Sequence, residues 1–203
     1  MTRHLILDRV EADFDPQRDL VLGPWCFSGR EQAHPDWEEL DWPEPFASAA
    51  ERRRATADTD ALAHGLLDRL TQEFNHRHEV GYPRQFWQQV LFCWLLHLIH
   101  GLWVRYRLVF EFLDRHPTEP LQVKLSPAPA RWPVSSTEEF IRLIFTDRGF
   151  RAWLLSEVVR TLAPPHWELV QLGPEETIRG QLWLRWPDSA PPPAPFPGWH
   201  RGK

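Results

Sequence analysis

A chain of 203 residues is long enough to bury one sizeable core. Its net charge of -5 and pI near 6.1 argue against the basic surface that holds nucleic acid or anionic membrane non-specifically, so no nucleic-acid partner is expected. The two cysteines, Cys26 and Cys93, are too few for a disulfide framework and fit reduced thiols in a cytoplasmic protein. No apolar stretch of signal-peptide length opens the chain, and the 12 tryptophans and 20 prolines are the unusual counts.

In chain order, Leu5-Ile6-Leu7 and Leu20-Val21-Leu22 are short aliphatic runs ended by turn residues, and both read as buried strands. The second enters Gly23-Pro24-Trp25, a sharp turn. Such a turn either opens a ligand site beyond a strand end or parks Trp25 in the core. From Ser28 to Phe46 the composition predicts a long ordered loop anchored by Trp37 and Trp42. A helix is expected from Asp58 or Thr59 to His76, with Ala61, Leu62, Leu66, Leu67, Leu70 and Phe74 as its apolar stripe. Glu51-Arg52-Arg53-Arg54 just ahead of it reads as a separate short helix with a solvated charged face.

The stretch from Tyr82 to His116 dominates the sequence. Pro83 suits a first helical turn, and no further proline precedes Pro117. One helix of roughly 30 residues, about 45 Å long, is therefore predicted. Trp87, Val90, Trp94, Leu98, Gly101 and Arg105 share one face, while Leu96, Ile99 and Trp103 lie opposite. Apolar residues around the whole circumference predict burial on most sides. The run is too short for a membrane span, and His97 and His100 interrupt it. These two histidines are at i, i+3 with no acidic residue beside them in sequence, so a metal site is not expected.

Leu121 to Leu125 alternates as a half-buried strand does, and a proline-rich loop from Ser126 to Ser135 follows. Ser136 and Glu139 have the spacing of a capping box, opening a helix through Phe140, Ile141, Ile144 and Phe145. A brief break at Asp147 to Phe150 precedes its continuation to Val159, and Pro164-Pro165 closes it. Trp167–Leu172 and Gln181–Trp186 read as strands that pair with each other. Residues 1–188 form one helix-rich α/β domain in this reading, and 189–203 a proline-rich disordered tail. No Walker loop, GxGxxG, GxSxG, HExxH or CxxC is present, so no cofactor is implied.

Several of these residues stand in the order of a known pattern. Leu22-Gly23-Pro24-Trp25-Cys26, the helix end with Asn75 and His78, Phe86-Trp87, Trp94-Leu95, Arg105-Tyr106, and Glu139-Phe140-Ile141 through Asp147 resemble the leptospiral-type transferase family of bacterial surface-carbohydrate loci. The match covers Leu20 to Leu162. Departures are Pro83, Gln85, Phe92-Cys93, Val104 and Phe150, which stand where the family prefers polar or small residues. Family members continue into a second, nucleotide-sugar-type lobe. The resemblance therefore implies the N-terminal, acceptor-side lobe of a two-lobed, GT-B-like glycosyltransferase. Its partner would be a separately encoded donor-binding lobe or another carbohydrate-pathway protein. It implies His78 as general base and Trp25, Asn75, Arg84, Trp87 and Arg105 as substrate-binding residues, with the arginines steadying phosphate. The alternative is a non-catalytic binding or scaffolding module. If a site persists, the turn at Trp25, the helix end at Asn75 and His78, and the helix start at Arg84 and Trp87 are expected to converge on one cleft.

Overall fold

A computed structural model of the chain describes residues 3–127, 134 and 136–173. The expected strand at 181–186 and the tail lie outside them, as does most of the proline-rich loop.

Four strands form one parallel sheet: β1 (Arg3–Ile6), β2 (Asp19–Val21), β3 (Leu121–Leu125) and β4 (Glu168–Gln171), in the order β2-β1-β3-β4. Leu5 pairs with Leu20 on one side and Val123 on the other, and Val123 pairs in turn with Leu169. The strand expected over 167–172 is thus present and pairs with β3. Between β2 and β3 runs an antiparallel pair, α1 (Ala49–His78) and α2 (Arg84–Arg115). Between β3 and β4 lie α3 (Thr137–Thr146) and α4 (Arg148–Leu162).

The helices cover one face of the sheet. Leu5, Leu7, Leu22, Leu121, Val123 and Leu125 form a core there with Val109 and Phe112 of α2 and Leu155 and Val159 of α4. The alternation in β3 that the sequence shows follows directly, since Gln122 and Lys124 turn away from this core. On the other face, Val21 packs with Val10, Cys26 and Phe27, and the anchored loop lies against them: Phe27, Trp37 and Trp42 stack in series at 5.9 and 6.0 Å. That loop contains the short 3-10 turns Pro24–Phe27 and Pro35–Glu39.

Two expectations about the helices are corrected. α1 begins at Ala49, so Arg52, Arg53 and Arg54 belong to it instead of forming a separate helix. The reason is a capping arrangement: Ser48 Oγ accepts from the Glu51 N–H, and the Glu51 carboxylate accepts from the Ala47 N–H. α2 is continuous as predicted, with Pro83 as its cap, but it is not buried all round. Val90 is 52% exposed and Phe110 46%, and Cys93 is exposed too, whereas Trp87, Leu95, Ile99 and Phe112 are buried. Trp94 is only half-buried, against Phe140 at 5.1 Å. The helix runs past two different packing layers, α1 and α3 along its first half and the sheet with α4 along its second, and each covers only part of its circumference.

α3 starts as its capping box predicts, with Ser136 Oγ accepting from Glu139 N–H at 3.1 Å. It ends at Asp147, whose side chain caps α4 by accepting from Phe150 N–H at 2.7 Å. At the α2–α3 crossing a Cβ on Gly101 would meet the Ile144 side chain at 2.9 Å, so this glycine permits the close approach.

Candidate functional site

The carboxyl ends of parallel strands are where α/β sheets bind ligands, because the chain reverses there and backbone polar groups are left unpaired. A cavity of about 820 Å³ opens at that end and runs along the face the helices leave uncovered. Asp8, two residues past β1, takes part in its wall together with Arg148, the first residue of α4. Arg148 grips the carboxylate with both ends of its guanidinium, Nε to Oδ1 at 2.8 Å and Nη2 to Oδ2 at 2.5 Å. Hydrogen bonding to Asp8, outweighing the opposing effect of burial, holds the guanidinium above its ordinary pKa. Asp8 and Arg148 are therefore an ion pair that ties β1 to the α3–α4 junction.

A second carboxylate, Asp19, is buried at the start of β2. Burial alone would push its pKa up. Hydrogen bonds from Arg18, the Asp15 N–H and His4 more than offset this and bring it below the usual range. By contrast, Arg9, Arg30 and Lys124 line the same cavity without a carboxylate partner among the described residues. Cys26 lies beneath the site. Its thiol donates to Ile6 O at 3.5 Å, and burial pushes it up to about 12, which leaves no thiolate for nucleophilic chemistry.

Of the residues the family pattern singles out, four come together away from the sheet. The α1–α2 corner is clasped by Asn75, whose Nδ2 donates to Tyr82 O at 2.8 Å. Its Oδ1 accepts from Tyr82 N–H at 3.2 Å and from Trp87 Nε1 at 2.9 Å. His78 is exposed, its ring stacked 6.4 Å from that of Trp87. Arg84 binds Asp68 and Gln88.

Trp25 sits elsewhere, at the sheet end, where its Nε1 donates to Leu7 O at 2.9 Å. A Cβ on Gly23 would fall 2.1 Å from the Trp25 ring, so the Gly-Pro-Trp turn needs that glycine for the indole to fold back. Arg105 is half-buried at the α2–α3 crossing, donating to Gly101 O at 2.7 Å and Ile144 O at 3.2 Å. Burial, with a smaller contribution from Arg151, lowers its pKa to about 10, so it stays charged at neutral pH. The expected convergence is not observed: Trp87 and Trp25 belong to separate packing clusters. Trp87 and Val109, which packs under the sheet, are separated by roughly 33 Å of helix at 1.5 Å per residue.

The family pattern nevertheless spans both ends of the molecule. Residues 3–177 match the family model described as LIC12162 family transferase. The chain belongs to that family. No curated protein and no solved structure matches it. Among the described residues no group of three or more His, Cys, Asp or Glu side chains can hold a metal ion, and no helix is long and apolar enough to cross a membrane.

Membership in a transferase family directs attention to the cavity residues that sequence reading passed over. Asp8 carried a signal, as a charged residue directly after an aliphatic strand. Arg148 carried another, in the break between α3 and α4. Arg9, Arg30 and Lys124 carried none, since exposed cations at a strand end look like any solvated surface.

Proposed function

We propose that this chain is the N-terminal, acceptor-side lobe of a two-lobed, GT-B-like glycosyltransferase of surface-carbohydrate biosynthesis, with the cavity at the carboxyl end of its sheet as the substrate site. The observation that carries the reading is the placement of the cavity in a wholly parallel sheet, walled by Asp8 and Arg148, in a member of a transferase family. The Asp8 carboxylate, oriented by Arg148, offers an acceptor for a substrate hydroxyl. The donor would be held by a separately encoded lobe.

Two measurements test this. The pure chain, incubated with UDP-, GDP- and CMP-sugars, is expected to release no nucleotide above background, and clear release would overturn the lobe assignment. Amide chemical shifts on adding saccharide acceptors are expected to move at Asp8, Ser126 and Gly149. Shifts confined to the α1–α2 corner would move the site there.

That corner is the second reading. The exposed imidazole of His78 stacked beside Trp87 favours it, since an aromatic platform next to a titratable group suits a sugar hydroxyl. Arg84 would then contact the acceptor. Under this reading His78→Ala would cost about 10²–10⁴ in transfer once a donor lobe is supplied. Under the cavity reading it would leave transfer within about twofold. Saccharide binding without transfer in any combination would mark a scaffolding module, an alternative that the structural role of Asn75 favours.

A further inference from the structure

The cavity is electrostatically unlike the rest of the chain. The protein carries a net charge of -5, yet this lining holds five cationic side chains, Arg9, Arg18, Arg30, Lys124 and Arg148, against four carboxylates. Three of the carboxylates are engaged: Asp8 by Arg148, and Asp13 and Asp19 by Arg18. What remains is Arg9, Arg30 and Lys124, with Glu11 as the remaining carboxylate of the lining. None of these three cations has a hydrogen bond or ion pair among the described residues.

Their placement is ordered by the fold. Lys124 projects from β3 on the open face, and carrying the register one step on from the Leu5–Val123 pair sets it beside Ile6 of β1. Arg9 follows two residues after the end of the β1 aliphatic run. Its guanidinium passes over the turn that carries Arg30, with Nη2 3.9 Å from where a Cβ on Gly29 would be. Gly29 holds a left-handed φ of 73°, and the turn closes with Arg30 N–H donating to Phe27 O at 2.7 Å. The Nε atoms of Arg9 and Arg30 are sealed from solvent and unbonded, so both stems are packed and the terminal amino groups are what a ligand would reach. A sealed N–H left unpaired is costly, and an anion bound at the accessible ends of the same forks would bring an acceptor close to it.

We propose that Arg9, Arg30 and Lys124 bind a phosphate group of the substrate in this cavity. A phosphate ester fits the donors better than a carboxylate does. The lining as a whole has an excess of one positive charge, and the three cations without a carboxylate partner match the three acceptor oxygens of a phosphate ester, where a carboxylate offers two. Arginine forks also match phosphate oxygens bidentately. The inference rests on the cavity being the substrate site, and names the chemical class of what enters it.

The test is titration calorimetry on the whole chain with pyrophosphate, UDP, glucose 1-phosphate and galacturonate. At least one phosphate compound is expected to bind, more weakly as salt is raised. Arg9→Gln and Arg30→Gln are each expected to weaken it at least about tenfold, and the exposed Arg54→Gln to leave it unchanged. Circular dichroism confirms that the variants are folded, and Arg9→Lys and Arg30→Lys serve as milder substitutions should the glutamine variants unfold. Glucose 1-phosphate binding more tightly than pyrophosphate identifies the source as a sugar phosphate and supports the proposal, whereas UDP binding most tightly supports the phosphate inference and overturns the acceptor-side assignment of the lobe. Galacturonate binding as tightly as glucose 1-phosphate overturns the assignment to phosphate. So does equal weakening by Arg54→Gln, or no binding of any phosphate. If neutral saccharides still shift the cavity amides in that last case, the phosphate inference alone falls. If they do not, the cavity reading falls with it.

Discussion

The two ends of α2 treat polar side chains in opposite ways. At the α1–α2 corner, Asn75 satisfies Tyr82 and Trp87, and Arg84 is closed on Asp68. At the sheet end, Arg148 and Arg18 are likewise closed, but Arg9, Arg30 and Lys124 line a cavity with no partner among the described residues. A polar group whose hydrogen bonds are complete within the fold contributes to stability. One left open in a cavity contributes to recognition. The family pattern is dense at the first kind of position, so matching motif residues marks the clasp as readily as it marks the site.

Removing the clasp is the most severe way to test the contrast. Asn75→Ala strands the Tyr82 N–H and C=O and the Trp87 indole N–H at once. Urea unfolding is expected to show a loss of about 2–4 kcal/mol, with phosphate binding by the folded fraction unchanged. A loss below about 1 kcal/mol would remove the distinction between the two ends.

A smaller effect is expected at the turn where the sheet end is built. Gly23→Ala places a methyl group inside the Trp25 ring, so the indole must leave its bond to Leu7 O. Overpacking of this kind costs about 2 kcal/mol. Thermal unfolding measures it, and a changed tryptophan emission would accompany it. An unchanged melting temperature would show that Trp25 is free to move.

The smallest effect is the acid limb. Asp19 and Glu119 both have pKa values held below the ordinary carboxylate range. For Glu119, hydrogen bonds from Arg3 and His116 overcome the upward push of burial. A carboxylate with a lowered folded-state pKa binds fewer protons folded than unfolded. Its contribution is therefore complete above the unfolded range and lost as pH falls through the folded value. Stability is expected to hold above about pH 5 and decline below it. Asp19→Asn is expected to flatten that decline, and an unaltered acid limb would show that the pairing around β2 carries little.

Local signals were legible wherever one segment settles its own conformation. The capping box at Ser136, the alternation of Leu121 to Leu125, the proline-free run after Pro83 and the break at Asp147 all appear in the structure where the sequence places them. The start of α1 was missed although Ser48 and Glu51 carry the same capping spacing, because a run of charges drew the boundary instead.

What the sequence alone determined is thus most of the elements and the transferase family through its ordered motif residues, while the turn at Gly23-Pro24-Trp25 stayed open between a ligand site and a packed indole. Tertiary structure decided which faces of α2 are covered, because a circumference of apolar residues does not say how many neighbours arrive. It also decided which charges are paired. Arg148 meets Asp8 across 140 residues of chain, and Arg9 has no ion pair among the described residues. Ion pairing depends on distances between segments that no local pattern encodes. The cations left without a partner among the described residues became visible only when the strands were side by side.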